Sequence, residues 1–156
     1  MASTNYTGRT VDLFIFQGAL PAGEQLIETG FGTAGEVITG IQKLVQSFTT
    51  LFLTRIGTVK YNASLGSGFI AAIQRGRIRD ESGARTEFAL AAEDVRKILA
   101  EDAEANNPPD DETYAGADLE SLELNRAESL LVLKVRVNSV AGESREVFLP
   151  VPLAIR

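Results

Sequence analysis

Hydrophobic residues recur with two different periods in two parts of this chain. Val37, Ile41, Leu44, Val45, Phe48 and Phe52 follow one another at three- and four-residue steps, which gathers them on one face of a helix. Ile38, Leu51 and Leu53 widen that stripe enough to predict burial on more than one side. Further on the period is two. Leu131, Leu133, Val135 and Val137 alternate with Val132, Lys134, Arg136 and Asn138, and after residues 141–143 the chain returns as Val147, Leu149, Val151 and Leu153. That pattern predicts an antiparallel hairpin, with residues 119–124 as a third strand. Pro150 and Pro152 cannot donate to a ladder, so the last strand is an edge or leaves the sheet.

Punctuation between these patterns supplies the remaining elements. Thr33 and Glu36 have capping-box spacing, which predicts that the first helix starts at residue 33. Gly57 suits a left-handed position after the helix end, with Arg55 near the negative pole of the helix dipole. Ser67 can cap a short helix through Phe69, Ile70 and Ile73 that Gly76 ends. Thr86 opens a third helix, whose stripe of Phe88, Ala92, Val95 and Leu99 is backed by Glu93, Asp94, Arg96 and Lys97 and runs to about residue 105. Residues 106–118, rich in proline and acid, predict an exposed loop. Residues 11–16 predict a short leading strand. The expectation is one α+β domain over residues 1–156: a strand and glycine-rich loop in 1–32, a helical part in 33–105 and a β part in 119–156.

Composition narrows the class. The chain has 156 residues, 44% hydrophobic and 23% charged, the profile of a globular domain with one core. No stretch reaches the ~18 apolar residues of a spanning helix, so no membrane partner is expected. There is no cysteine and no basic-then-apolar leader pattern. Residues 1–79 hold seven Lys/Arg against four Asp/Glu, and residues 80–156 hold eight against seventeen, giving +3 and −9 and the overall −6. So acidic a second half argues against phosphate neutralisation, and protein partners are expected instead of nucleic acid. Arg75, Arg77 and Arg79 form a basic cluster that either pairs locally with Asp80 and Glu81 or meets acid on a neighbour.

Chemistry is sparse. Gly30, Gly32 and Gly35 match the dinucleotide fingerprint, but residues 24–29 are not a buried strand and no acid occurs between Glu36 and Asp80 to hold a ribose. With no histidine and no cysteine, Ser-His-Asp, Cys-His and the usual zinc sets are excluded. Carboxylates remain, clustered at Glu101, Asp102, Glu104, Asp110, Asp111 and Glu112 where solvent keeps them ordinary acids. The ligand spacing and central glycine of a calcium loop are missing. No catalytic residue, cofactor or metal is expected. Phe14, Phe16, Phe48, Phe52, Phe69 and Phe88 have the spacing of core residues.

The stretch of residues 51–69 closes one helix and enters the next through a glycine-punctuated loop. Leu53, Thr54 and Arg55, then Gly57, Asn62 and Gly66, resemble the signature of the small baseplate wedge proteins of contractile phage tails, also called sheath initiators and often labelled lysozyme-like. The resemblance spans roughly residues 36–75. It implies a structural, non-enzymatic protein of the virion tail baseplate, made in the host cytoplasm, with about six copies around the tail tube. The helical part would pack into the wedge, and the sheet would mimic a sheath subunit so that the first sheath ring adds strands to it. The signature loop comprises Thr54, Arg55, Gly57, Lys60, Tyr61, Asn62 and Gly66; as polar and aromatic loop residues, Lys60 and Tyr61 together with Arg55 are its candidates for partner contacts, and they equally suit bonding across the turn. The sheath-facing edge would be Glu146, Val147, Phe148, Leu149 and Val151. Many family members carry a Glu-Pro-Arg triplet between helix and sheet; the corresponding residues 107–112 here are Asn-Pro-Pro-Asp-Asp-Glu. Two rival readings are a peptidoglycan-cleaving glycosidase, as the family's label implies, and a binding module unrelated to tails.

Overall fold

A computed structural model of the chain describes residues 12–13 and 37–153. Its elements in chain order are β1 (Asp12–Leu13), β2 (Val37–Ile38), α1 (Gly40–Leu53), α2 (Phe69–Gln74), α3 (Glu81–Asn106), β3 (Tyr114–Asn125), β4 (Leu130–Ser139) and β5 (Ser144–Pro152). β1 pairs antiparallel with β2, and a second, three-stranded antiparallel sheet has the order β3-β4-β5. The class is α+β, with three helices and a C-terminal sheet among the described residues, as the periodicities predict.

The period-two register determines what the sheet buries. Leu131, Leu133, Val135 and Val137 of β4 are all 0% exposed, and Leu149 and Val151 of β5 are buried beside them. α1 packs on β4 and β5, and α3 packs on β3, so these two helices cover one face, with α2 packed against both of them. Each aliphatic side chain removed from water in this way contributes about 1.5–3 kcal/mol before entropy is counted. Between the layers an aromatic chain links the elements: the Phe52 ring lies 4.6 Å from Phe69 and 5.4 Å from Phe88, and Phe48 stacks on Phe52 at 5.6 Å and on Tyr114 at 5.9 Å. Phe14 and Phe16 lie outside the described residues.

Several boundaries differ from the sequence expectation. α1 starts at Gly40, not at residue 33; Val37 and Ile38 are in a strand and Val37 is exposed, while Thr33 and Glu36 lie outside the described residues. α3 starts more than a turn before Thr86, because Asp80 is extended and its side chain accepts from the Gly83 amide at 2.7 Å. That use of Asp80 corrects the local pairing expected for the arginine cluster, in which Arg77 instead reaches Glu87 at 3.9 Å. β3 begins at Tyr114, inside the stretch predicted to be an exposed loop. Of the leading strand, only Asp12 and Leu13 are described; the rest of residues 11–16 lies outside the described residues.

Candidate functional site

The signature loop is a stitched plug at the end of α1. Thr54, extended, caps the helix, so Gly57 is not the C-cap glycine that the sequence suggests. Ser67 is fully buried: its hydroxyl donates to the Phe52 carbonyl at 2.6 Å and accepts from the Phe69 amide at 3.2 Å, while its own amide donates to the Thr54 carbonyl at 2.8 Å. One side chain thus closes α1, opens α2 and ties the loop ends together. Gly66 makes that closure possible. Its φ is +111°, and a Cβ there would stand 2.3 Å from the Thr54 carbonyl oxygen.

Within the loop, the Gly57 amide donates to Ala63 at 3.0 Å, and Asn62 accepts from the Ser64 amide and hydroxyl through its side-chain oxygen. Arg55 donates to Gln74 at 2.8 Å, so it braces α2. Tyr61 at the tip is 91% exposed, with the Lys60 ammonium 5.5 Å from its ring centre, and Ile56 is exposed as well. Thr54, Asn62 and Gly66 therefore build the loop, and Lys60 and Tyr61 are presented by it.

The sheet presents the second surface. At the two ends of the β4–β5 ladder, Ser139 donates to the Glu143 carbonyl at 2.8 Å and Leu153 to the Ser129 carbonyl at 2.7 Å. Both bonds join odd-numbered residues. The register between them is unbroken, so Val147, Leu149 and Val151 bond inward to β4 while Ser144, Glu146 and Phe148 point their amides outward. Pro150 and Pro152 fall on the same outward phase, which is why the strand tolerates them. Among the described residues nothing accepts from the outward amides. At the opposite edge, β3 is broken by two register shifts, at 114/116 and 119/121.

The sheet face away from the helices carries charge. Lys134 bridges Glu120 at 2.9 Å and Glu146 at 2.8 Å, and Arg136 pairs with the same two carboxylates. Hydrogen bonds to Glu146 and then Glu120 raise the Lys134 ammonium above its ordinary value, and Lys134 and then Arg136 hold Glu146 below its own. Phe148 lies 5.8 Å under the Lys134 ammonium and is partly exposed. Of the five edge residues named from sequence, Glu146 and Phe148 thus face this outer side, whereas Val147, Leu149 and Val151 face the helices.

The sequence places Glu112 in a run of solvated acids. Instead of a solvated acid it is buried, accepting from the Gly40 amide at 3.0 Å and pairing with Lys43 at 2.8 Å. A cleft of about 340 Å³ between α1, α3 and the signature loop is lined by Leu51, Leu65, Ile98 and Leu99, by the polar side chains of α1, and by two carboxylates, Asp12 and Asp102. Asp12 accepts from Gln46 at 3.0 Å and Asp102, exposed, from Asn106 at 2.7 Å. Among the described residues no group of three acids converges to hold a metal ion, and no helix is long and apolar enough to cross a membrane. No family model matches the chain, and a search of curated proteins finds no match.

Proposed function

We propose that this chain is a structural baseplate protein of a contractile tail, which joins the wedge to the first sheath ring and starts sheath assembly by accepting a strand at β5. The observation that carries the reading is the regular, unpaired outer edge of β5, whose outward amides have no acceptor among the described residues. The likeness of residues 36–75 to the sheath-initiator signature supplies the partner, and the presented Lys60 and Tyr61 supply a second contact, toward the wedge or tube. On this reading the protein acts in the virion in about six copies, without a cofactor, and its chemistry is that of assembly.

The deciding experiment is co-expression of the chain with the sheath, tube and wedge proteins encoded near it. Sheath rings should form on baseplates that contain the chain and be absent without it. Normal sheath on baseplates lacking the chain, or a gene neighbourhood without sheath, tube and wedge genes, would overturn the reading.

The lysozyme-like label keeps a glycosidase as the second reading, and the cleft is the feature that favours it, since Asp12 and Asp102 share its lining. Against it, Asp102 is solvent-exposed. Clearing of purified peptidoglycan that is lost in both Asp12→Asn and Asp102→Asn would establish the enzyme and displace the assembly reading.

A further inference from the structure

We infer that the β5 edge takes an extended segment of another protein over Ser144, Glu146 and Phe148 only, and that Pro150, Pro152 and Glu146 together keep a second copy of this chain off the same edge. This assignment rests on strand addition being the edge's function, and it adds the register and chemistry of the partner.

The alternation of the ladder gives the available donors. Ser144, Glu146 and Phe148 each turn an N–H outward, and at the next two outward positions the chain has proline, which has none. A strand continuing past Phe148 would bury carbonyls against those prolines without a donor, which is unfavourable. The usable window is five residues, about 13 Å of strand. Side chains of an added strand would lie beside Glu146 and Phe148 on the charged face. Phe148 is 37% exposed under Lys134, so an apolar or aromatic residue gains by covering it, and the residue opposite Glu146 is one that is not acidic.

A second copy fails these conditions in each antiparallel register. Pairing centred on Glu146 sets two glutamates directly opposite each other. Moving the centre toward Phe148 brings Pro150 opposite an outward amide position, and moving it toward Ser144 leaves at most three residues, 144–146, of overlap before the hairpin turn. The β3 edge needs no such guard, because its register shifts already interrupt it.

Two measurements on the full chain test this. In the first, sedimentation compares the parent with Pro150→Thr/Pro152→Thr/Glu146→Thr, which restores donors and removes the like charge. Self-association should strengthen by about tenfold or more, and adding Phe148→Pro should abolish the gain. A triple variant that associates no more than the parent overturns the guard. In the second, a tail sheath subunit from the same source as this chain is the probe, and Glu146→Pro and Phe148→Pro, with folding checked by circular dichroism, should each weaken binding by about tenfold or more. If the sheath subunit binds the parent and both variants equally, the assigned window is wrong. Should it bind none of them, the assembly reading falls, while the sedimentation result still decides whether the edge is guarded.

Discussion

Gly40 and Glu112, 72 positions apart in the chain, meet at 3.0 Å, where the carboxylate accepts from the first amide of α1. A helix start leaves amides without partners and carries partial positive charge, so a buried carboxylate is well placed there, and Lys43, one turn on, balances it. The contact joins the helical layer to the turn that leads into β3.

Removing the carboxylate tests how much of the fold depends on that joint. Glu112→Ala should destabilise by about 2–4 kcal/mol, because it strands the Gly40 amide and removes the carboxylate that pairs with the partly buried Lys43. Glu112→Gln keeps an acceptor and should lose about half of that. Urea midpoints of the three proteins would settle it; equal midpoints for parent and Glu112→Ala would show the contact to be incidental.

The two loop glycines should respond differently. Gly57 has a φ of +87°, and no described atom lies within 4 Å of where its Cβ would stand, so Gly57→Ala carries only the backbone cost, about 1 kcal/mol. Gly66→Ala adds a collision with the Thr54 carbonyl and should cost more than about 3 kcal/mol, or leave the protein unfolded. Comparable denaturation midpoints for the two variants would contradict this ordering.

Asp80→Ala should cost about 1 kcal/mol by removing the cap on α3, and Asp80→Asn far less, since asparagine caps nearly as well. Thermal melts of both variants check it, and an equal loss in the two would point to charge in place of the hydrogen bond.

Thr49 is 1% exposed, and its hydroxyl has no hydrogen-bond partner among the described residues. Thr49→Val replaces that hydroxyl with a methyl group of similar size, so stability should hold or rise by about 1 kcal/mol. A clear loss in the denaturation midpoint would mean that the hydroxyl is satisfied in solution.

Alkaline pH should act through Tyr114. Burial, and then the negative charge of Asp118, push its phenol up to about 12 from the ordinary 10.0. Because the folded-state value is the higher one, the contribution is complete below the unfolded value of about 10 and is lost as pH rises through about 12. Urea midpoints between pH ~9 and ~12 should therefore fall more steeply for the parent than for Tyr114→Phe; parallel curves would remove Tyr114 as a cause.

Periodicity determined the bodies of the helices and of the C-terminal hairpin, because burying one face imposes a step of 3.6 or 2 on apolar residues wherever the backbone runs, whereas it put Val37 and Ile38 of β2 in the helix. Leu44, Phe48 and Phe52, and Leu131 through Val137, could be assigned to the core from spacing. Pro150 and Pro152 likewise marked β5 as an edge, since a missing N–H is a local property. Sites made by residues distant in the chain were not legible. The start of α1 looked like a capping box at Thr33, but in the fold β2 occupies the positions just before it and the acceptor comes from Glu112. That carboxylate sits among acids that sequence reading takes as solvated, and only packing distinguishes it from Asp110. Gly57 and Gly66 look equivalent as letters, yet the return of Ser67 to Thr54 is what forbids a side chain at Gly66. The outward phase of Glu146 and Phe148 needed the hydrogen bonds at both ends of the hairpin, because alternation gives two possible phases and only a paired neighbour chooses between them.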